Sequence, residues 1–519
     1  LFTERKAFLN LKTPGISTSA QKDNFPYDLK IIIVFILFLV ISACKSTNKT
    51  KHDPATKFTK ELTELKDFFK IPGIAISIDQ NGETIYSKYL GVADLEKSTK
   101  VDATTLFPIA SLTKVFSGVL LMKLVEKGRL NLDDPINSFL SKSSLGDSIL
   151  IKHVSSHTSQ GIPGQEFLYS SRFGLLTEVI QQAGGKSFSE ALREEILDPL
   201  QLKNTFLLQD STQLLQRGPS FAKPYLLDQR IKSGFVDFGY SASAGIVSNL
   251  EDLRVFNTAL DNDFLLSKNS KRTMFSPFAE DLPYGHGIFS QEFLGLNIVW
   301  AYGQYDCYSS LILKIPEKNL TLIILANSSL LSDPARLIYG DITSSLFALS
   351  FLKNYVSSLE DMTLLEKQLP VANNSGADKE FYRKKLLAQA LAESYMARNE
   401  PERLASSATI LRKVFSAYPD YLSYASLNLL HNLSFLKDVA FFMELGEFKE
   451  FDTQLVRIGE KLLAKEADNP YVNIYLGTFY DRNGNMAKAR FHFENIINAK
   501  NFSNNWYTQE ALAWLNNNK

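Results

Sequence analysis

The chain has 519 residues, 45% of them apolar, with 56 basic and 56 acidic side chains. That length suggests two to four domains with sizeable cores, and the balanced charge excludes a bulk electrostatic case for nucleic acid. Cys44 and Cys307 are the only cysteines and six histidines are scattered, which leaves neither a disulfide framework nor a zinc spacing. His153 and His157 are the one close pair of histidines. With no glutamate or third ligand in pattern beside them, no metal site is expected.

Residues 1–29 are polar and irregular and read as disordered or as an over-long N-terminus. Lys30 then precedes eleven consecutive apolar residues, Ile31 to Ile41. That run is short for a membrane span and right for a signal-peptide core. It ends at Ile41-Ser42-Ala43-Cys44. Small residues before a cysteine resemble the bacterial lipoprotein processing box, which implies lipidation at Cys44. An uncleaved anchor helix with a chance cysteine is the alternative. Either reading makes 30–44 a signal-type segment and 45–59 a polar tether. It also places the rest of the chain outside the cytoplasm, membrane-anchored in a bacterial cell envelope with periplasmic or extracellular domains.

A short amphipathic helix is expected over 60–69, then a strand over Ile71–Ile78. Asn81-Gly82 marks a hairpin turn, and Thr84–Val92 is the return strand. A loop turns into a helix at Phe107-Pro108-Ile109-Ala110-Ser111-Leu112-Thr113-Lys114, and Gly128 ends that helix. Ile149–Gly164 reads as a short helix leading into a polar loop, and helices follow to Leu197. Residues 205–240 are loop-rich. Tyr240–Ser248 is expected to open a helix. Strands are expected at Tyr284–Phe289, Leu296–Ala301, Tyr308–Ile315 and Leu320–Leu325. Strands at both ends with helices between imply an antiparallel sheet built from both chain ends, flanked by helices. Helices follow Asn327, with a break at Asn373–Gly376 and only helical patterns from Asp378 onward. Leu476, Gly477, Tyr480, Gly484, Ala489 and Phe493 fall near tetratricopeptide spacing, and a generic helical bundle is the alternative. The domains are therefore 60–335, a helical connector at 336–377, and an all-α C-terminal domain at 378–519.

Ser111 and Lys114 carry the chemistry. Ser111 lies near a helix N-terminus, where unpaired N–H groups favour negative charge. Lys114 projects from the same face one turn on. A serine hydroxyl is a poor nucleophile until a base takes its proton, and a lysine in a dry, electropositive cleft can have its pKa lowered enough to serve. The bare S-x-x-K pattern occurs six more times, starting at Ser19, Ser42, Ser46, Ser220, Ser350 and Ser434. Only the Ser111 copy follows a strand-rich segment, opens a long apolar helix, and has a tyrosine motif and a late strand segment downstream.

With those markers in place, residues from about 60 to 330 resemble the serine beta-lactamase-related family of class C beta-lactamases, DD-peptidases and family VIII esterases. Pro-Ile-Ala-Ser111-Leu-Thr-Lys114 is similar to the nucleophile motif. His157-Thr158-Ser159 and Tyr169-Ser170-Ser171 are similar to the His-Thr-Ser and Tyr-x-Asn segments. Trp300-Ala301-Tyr302-Gly303, with Tyr308-Ser309-Ser310, is similar to the third-motif strand. The resemblance implies an α/β (α+β) fold of the beta-lactamase/transpeptidase type. It implies acylation of Ser111, proton shuttling by Lys114 and Tyr169, and an oxyanion hole of the Ser111 and Gln304 N–H groups. Ser171, Ala301, Tyr302, Gly303 and Gln304 would contact the substrate. No metal or organic cofactor is implied. The expected partners are a small-molecule or peptide substrate, the membrane through the N-terminal anchor, and a protein for the C-terminal helices.

Two positions depart from the pattern. Ser171 stands where the family has asparagine and offers one donor instead of two. Ala301 stands where it has lysine or histidine and offers neither charge nor donor, with Tyr302 and Lys314 the nearby candidates to compensate. Both departures argue against an efficient beta-lactamase and suit an esterase or peptidase with a neutral substrate. They also leave open a non-catalytic receptor, or a tethered scaffold in which the helical domain alone matters.

Overall fold

The computed structural model describes residues 53–518, apart from 143–144, 210, 218–219, 233–238, 358, 360–361, 366–376, 420–421, 436–448 and 500–505. Cys44, the signal-type segment and the expected break at Asn373–Gly376 lie outside the described residues.

Helix α1 (Pro54–Phe68) leads into β1 (Gly73–Gln80), the turn at Asn81-Gly82, and β2 (Glu83–Asp94). Strands β3 (Thr99–Lys100) and β4 (Phe107–Pro108) follow, then α2 (Thr113–Glu126). A run of short helical segments separates α2 from β5 (Phe206–Leu207) and β6 (Ile246–Ser248), after which comes α3 (Leu250–Asp261). The remaining strands are β7 (Phe289–Phe293), β8 (Leu296–Gln304), β9 (Ser309–Ile315) and β10 (Leu320–Ala326). They form one antiparallel sheet in the order β3-β2-β1-β10-β9-β8-β7, and β4-β6-β5 form a small second sheet. The first long strand therefore pairs with the last, Ile74 opposite Ala326 through Gln80 opposite Leu320, as expected for a sheet made from both chain ends.

The large sheet is buried on both faces, which is why its central strands read as continuous apolar runs instead of alternating ones. Ala75, Val299, Ala301, Ile323 and Leu325 join one apolar cluster with Phe116 of α2 and Phe256 of α3, whose rings stack at 3.8 Å. Their strand neighbours Ile74, Ile76, Trp300, Leu322 and Ile324 face the other way, against Phe58 of α1 and the Leu346–Phe351 helix.

Two expected elements are placed differently. The strand read over Tyr284–Phe289 begins only at Phe289, because its predecessors are bonded outside the sheet. The His286 N–H bonds Met274 O, and the Gly287 N–H bonds Ser155 O. The Tyr240–Ser248 stretch is not a helix start. Ile246–Ser248 pairs with β4 and β5, and α3 begins at Leu250, capped by the Asn249 side chain accepting from the Asp252 N–H at 2.9 Å. The loop-rich reading of 205–240 omitted β5 and a helix at Ser211–Arg217.

The C-terminal region is helical, with α4 (Ala377–Met396), α5 (Arg403–Ala417), α6 (Tyr424–Phe435), α7 (Lys449–Leu463), α8 (Pro470–Arg482), α9 (Met486–Asn498) and α10 (Trp506–Asn517). α8 and α9 pack as a pair across a tight turn at Asn483–Asn485. A Cβ on Gly477 would stand 3.0 Å from the Phe493 ring, so the glycine lets the two helices touch. Pro54 to Lys519 forms one compact unit. Phe381, Ala388 and Met396 of α4 belong to the apolar cluster under the large sheet. No helix of the described residues is long and apolar enough to cross a membrane.

Asn327 holds the seam where the chain ends meet. Its Oδ1 accepts the Gly73 N–H at 2.7 Å and its Nδ2 donates to Val92 O at 3.1 Å, all in a fully buried position. Asn327→Ala leaves a buried donor and acceptor unpaired and should lower unfolding stability by about 2–3 kcal/mol, read as a fall in the urea midpoint.

Candidate active site

Ser111 sits in a short 3-10 turn, Ala110–Leu112, that runs directly into α2. The segment before it is fixed on both sides. The Ile109 N–H donates to Ile246 O at 2.9 Å, and Ser310 Oγ donates to Ile109 O at 2.9 Å. Ala110 then takes a left-handed φ of +50°, which swings the chain into the helix. From below, Ser117 Oγ donates to Ala242 O at 2.8 Å. The Ile246 N–H donates to Thr113 Oγ1 at 3.2 Å. The nucleophile's helix is thereby tied to the 242–247 segment.

Lys114 Nζ lies 3.0 Å from Ser111 Oγ and donates to the Ser243 carbonyl at 3.0 Å. It sits over the rings of Tyr169 and Phe173, at 5.0 and 5.5 Å from their centroids. No carboxylate is bonded to it, and the residue is only 3% exposed. Burial disfavours its charged form and lowers its pKa to about 7. A second S-x-x-K copy shows the contrast. Ser350 and Lys353 are equally buried, but Lys353 is salt-bridged to Glu61, and Ser350 Oγ also donates to that carboxylate at 2.7 Å. The same spacing with an acid beside it gives a salt-bridged pair and not an acid-free amine.

Tyr169 is buried beside Lys114, its ring centroid 5.0 Å from Nζ, and burial raises its phenol above the usual tyrosine range. Burial thus favours the neutral amine of Lys114 and the neutral phenol of Tyr169. His157 positions it. Its Nδ1 accepts the Ser170 N–H at 3.0 Å, its carbonyl accepts the Leu168 N–H at 2.9 Å, and its ring stacks on Tyr169 at 4.3 Å. Burial and the neighbouring Lys114 hold the imidazole well below its ordinary pKa. His157 is therefore a neutral loop brace.

The edge of β8 completes the site. A Cβ on Gly303 would stand 1.9 Å from Ile109 O, so only glycine lets β8 reach the nucleophile turn. The Tyr305 N–H bonds Tyr308 O, and backbone groups alternate in direction along an antiparallel strand. The Gln304 N–H therefore points away from β9. On that side β7 pairs with β8 only as far as Trp300, so the edge there is open. The Ser111 N–H lies in the first turn of a helix, where amides lack intrahelical partners. Those two donors fit a developing oxyanion.

Ser111, Lys114, Tyr169, Tyr302, Gly303 and Gln304 are thus gathered in one cleft. Two expected substrate contacts are not equivalent to these. Ser171 is exposed, and the Ser243 carbonyl, not Ser171, bonds Lys114. Ala301 faces the apolar cluster that holds Phe116 of α2 and Phe256 of α3, and is 4% exposed. Lys314 does not compensate for it, being bonded to Asp261 at 2.7 Å and to Asn257. Tyr302 stands on the cleft side, its ring 6.0 Å from that of Tyr169. Sequence reasoning missed Ser243, because the group that bonds Lys114 is a main-chain carbonyl. Among the described residues no group of three His, Cys, Asp or Glu side chains could hold a metal ion.

A family model described as Beta-lactamase matches residues 60–341, more than half of the chain. The chain belongs to the beta-lactamase family. Among its relatives, Protein flp of Staphylococcus aureus strain MW2 is 28% identical over 303 residues, covering 50% of this chain and 60% of that protein. A Staphylococcus aureus protein named teichoic acid D-alanine hydrolase is 24% identical over 234 residues, covering 38% and 59%. The chain thus spans about 60% of the length of the curated relatives it matches. A penicillin-binding protein homologue from Pyrococcus abyssi aligns with a TM-score of 0.49 at 24% identity, covering 53% of this chain and 73% of that one. A penicillin binding protein from Bacillus halodurans aligns at 0.47 and 20% identity, covering 52% and 94%. In this beta-lactamase-family chain the C-terminal helices α4–α10 lie beyond the family match.

Gly303→Ala should leave the protein folded by circular dichroism yet push β8 off the nucleophile turn. Because a displacement of order 1 Å can cost about 10²-fold, labelling of Ser111 by a fluorophosphonate should slow by about that factor.

Proposed function

We propose that this chain is a serine hydrolase that cleaves an ester, amide or peptide through an acyl-enzyme on Ser111. The observation that carries this reading is the buried Lys114 amine, 3.0 Å from Ser111 Oγ with no acid beside it. Neutral Lys114 takes the Ser111 proton as Oγ bonds the substrate carbonyl carbon. The resulting oxyanion is held by the Ser111 and Gln304 N–H groups. As the intermediate collapses, the C–O or C–N bond breaks and the leaving group takes a proton from the Tyr169 hydroxyl, which Lys114 replenishes. Water, deprotonated by the same pair, then hydrolyses the acyl-enzyme and frees Ser111.

A neutral substrate fits the apolar Ala301 better than a penicillin-like carboxylate. The name of the teichoic acid D-alanine hydrolase relative supports an acyl group on a cell-envelope polymer as the kind of target. That location agrees with the signal-type segment and with lipidation of Cys44. The helical region, read as tetratricopeptide-like, would then stand outside the cytoplasm, available to a protein partner. Exposed Ser171 favours one competing reading, a binding protein that has lost turnover.

Intact mass after fluorophosphonate treatment decides between them. A single adduct absent in Ser111→Ala supports the hydrolase, and no adduct on folded protein supports the receptor. Because burial lowers the Lys114 pKa to about 7, its neutral fraction grows as pH rises through that value. The labelling rate should climb with pH and level off above it. Lys114→Arg, which cannot release its proton, should lose that inflection together with about 10³-fold in rate.

A further inference from the structure

The loop that carries Tyr169 is held from two sides. Phe167 and Tyr169 pack against the apolar cluster under the large sheet, with their rings 5.7 and 6.0 Å from that of Phe289. Leu168, between them, enters a different cluster, the one built by the C-terminal helices, and is buried there. Every other buried member of that cluster lies between Tyr382 and Ala511. Among the described residues, Leu168 is thus the one buried side chain that the family-matched stretch 60–341 places among those helices.

The helices meet the same loop again near its start. Tyr507 of α10 donates to Gln160 Oε1 at 3.5 Å, and both side chains are buried. The Tyr507 ring packs edge-on against Tyr471 of α8 at 5.8 Å. Arg172 Nη1 donates to Ser159 O at 2.7 Å, tying the two ends of the loop together. Within the loop, His157 accepts the N–H groups of Leu168 and Ser170, the residues on either side of Tyr169. The backbone around Tyr169 is therefore fixed by His157, while the side chain next to it is anchored outside the family match. Misplacing a catalytic group by about 1 Å costs about 10²-fold, so what holds Leu168 bears directly on Tyr169.

We propose that Leu168 and Tyr507 are positioning residues for the reaction: the C-terminal helices hold the His157–Arg172 loop, and through it the Tyr169 hydroxyl, where it can protonate the leaving group. This rests on the serine-hydrolase reading above, in which Tyr169 supplies that proton. The helical region is then a working part of the catalytic domain.

The test uses the full chain and two butyrates with one acyl group. The ethyl ester needs its alcohol protonated to leave, and the p-nitrophenyl ester does not, because its phenolate leaves unaided. For each, kcat/KM reports acylation. Leu168→Ala should lower kcat/KM for the ethyl ester by about 10²-fold. It should keep the p-nitrophenyl ester, and fluorophosphonate labelling of Ser111, within about threefold of wild type. Tyr507→Ala lies on the last helix, where a lost contact threatens the fold least, and should give the same split. Tyr507→Phe keeps the ring and should return the ethyl ester to within about threefold of wild type. When Tyr169→Phe is already present, Leu168→Ala should add no further difference between the two esters. An equal loss on both esters, a split that persists in full on top of Tyr169→Phe, or a Tyr507→Phe as impaired as Tyr507→Ala would each overturn the proposal. Absence of labelling in wild type would instead sink the hydrolase reading, and this inference with it.

Discussion

Everything in the cleft depends on keeping one amine dry and unpaired. A lysine is ordinarily charged at neutral pH, and a carboxylate within reach would keep it so. Lys114 escapes this because its surroundings are aromatic rings and a main-chain carbonyl. The surrounding architecture serves that exclusion. The α2 helix is almost wholly buried, the 242–247 segment is bonded along its flank, and the His157 ring closes over Tyr169. Ser350 and Lys353 show how little the motif means without that environment, since one acid, Glu61, turns the same pair into a structural bridge.

The sheet was legible because its signals are local and mutually consistent. Asn81-Gly82 announces a hairpin, and four apolar runs between residues 284 and 325 announce strands. Tyr284–Ile288 misled because its composition suits a strand, while its backbone is bonded to Met274 and Ser155. Nothing in a one-dimensional pattern reports such a distant partner. The same holds for Ile246–Ser248, whose pairing with β4 depends on where Pro108 lies in space.

In the site, Ser111, Lys114 and Tyr169 were legible from motif order, and Gly303 from the resemblance to the third-motif strand. The group that replaces the missing asparagine was not. A carbonyl is present at every residue, so no side-chain pattern marks that of Ser243 as the one facing Lys114.

The seam at Asn327 also bears on how the chain is made. Gly73 and Asn327 are 254 positions apart, and β1 lacks its β10 neighbour until the chain has been synthesised past residue 326. Such distant pairing makes folding slow, because loop closure must precede the contacts that reward it. The β10-facing edge of β1 thus stays open while the intervening residues are made. During that interval the nascent chain exposes a strand edge that β10 later covers.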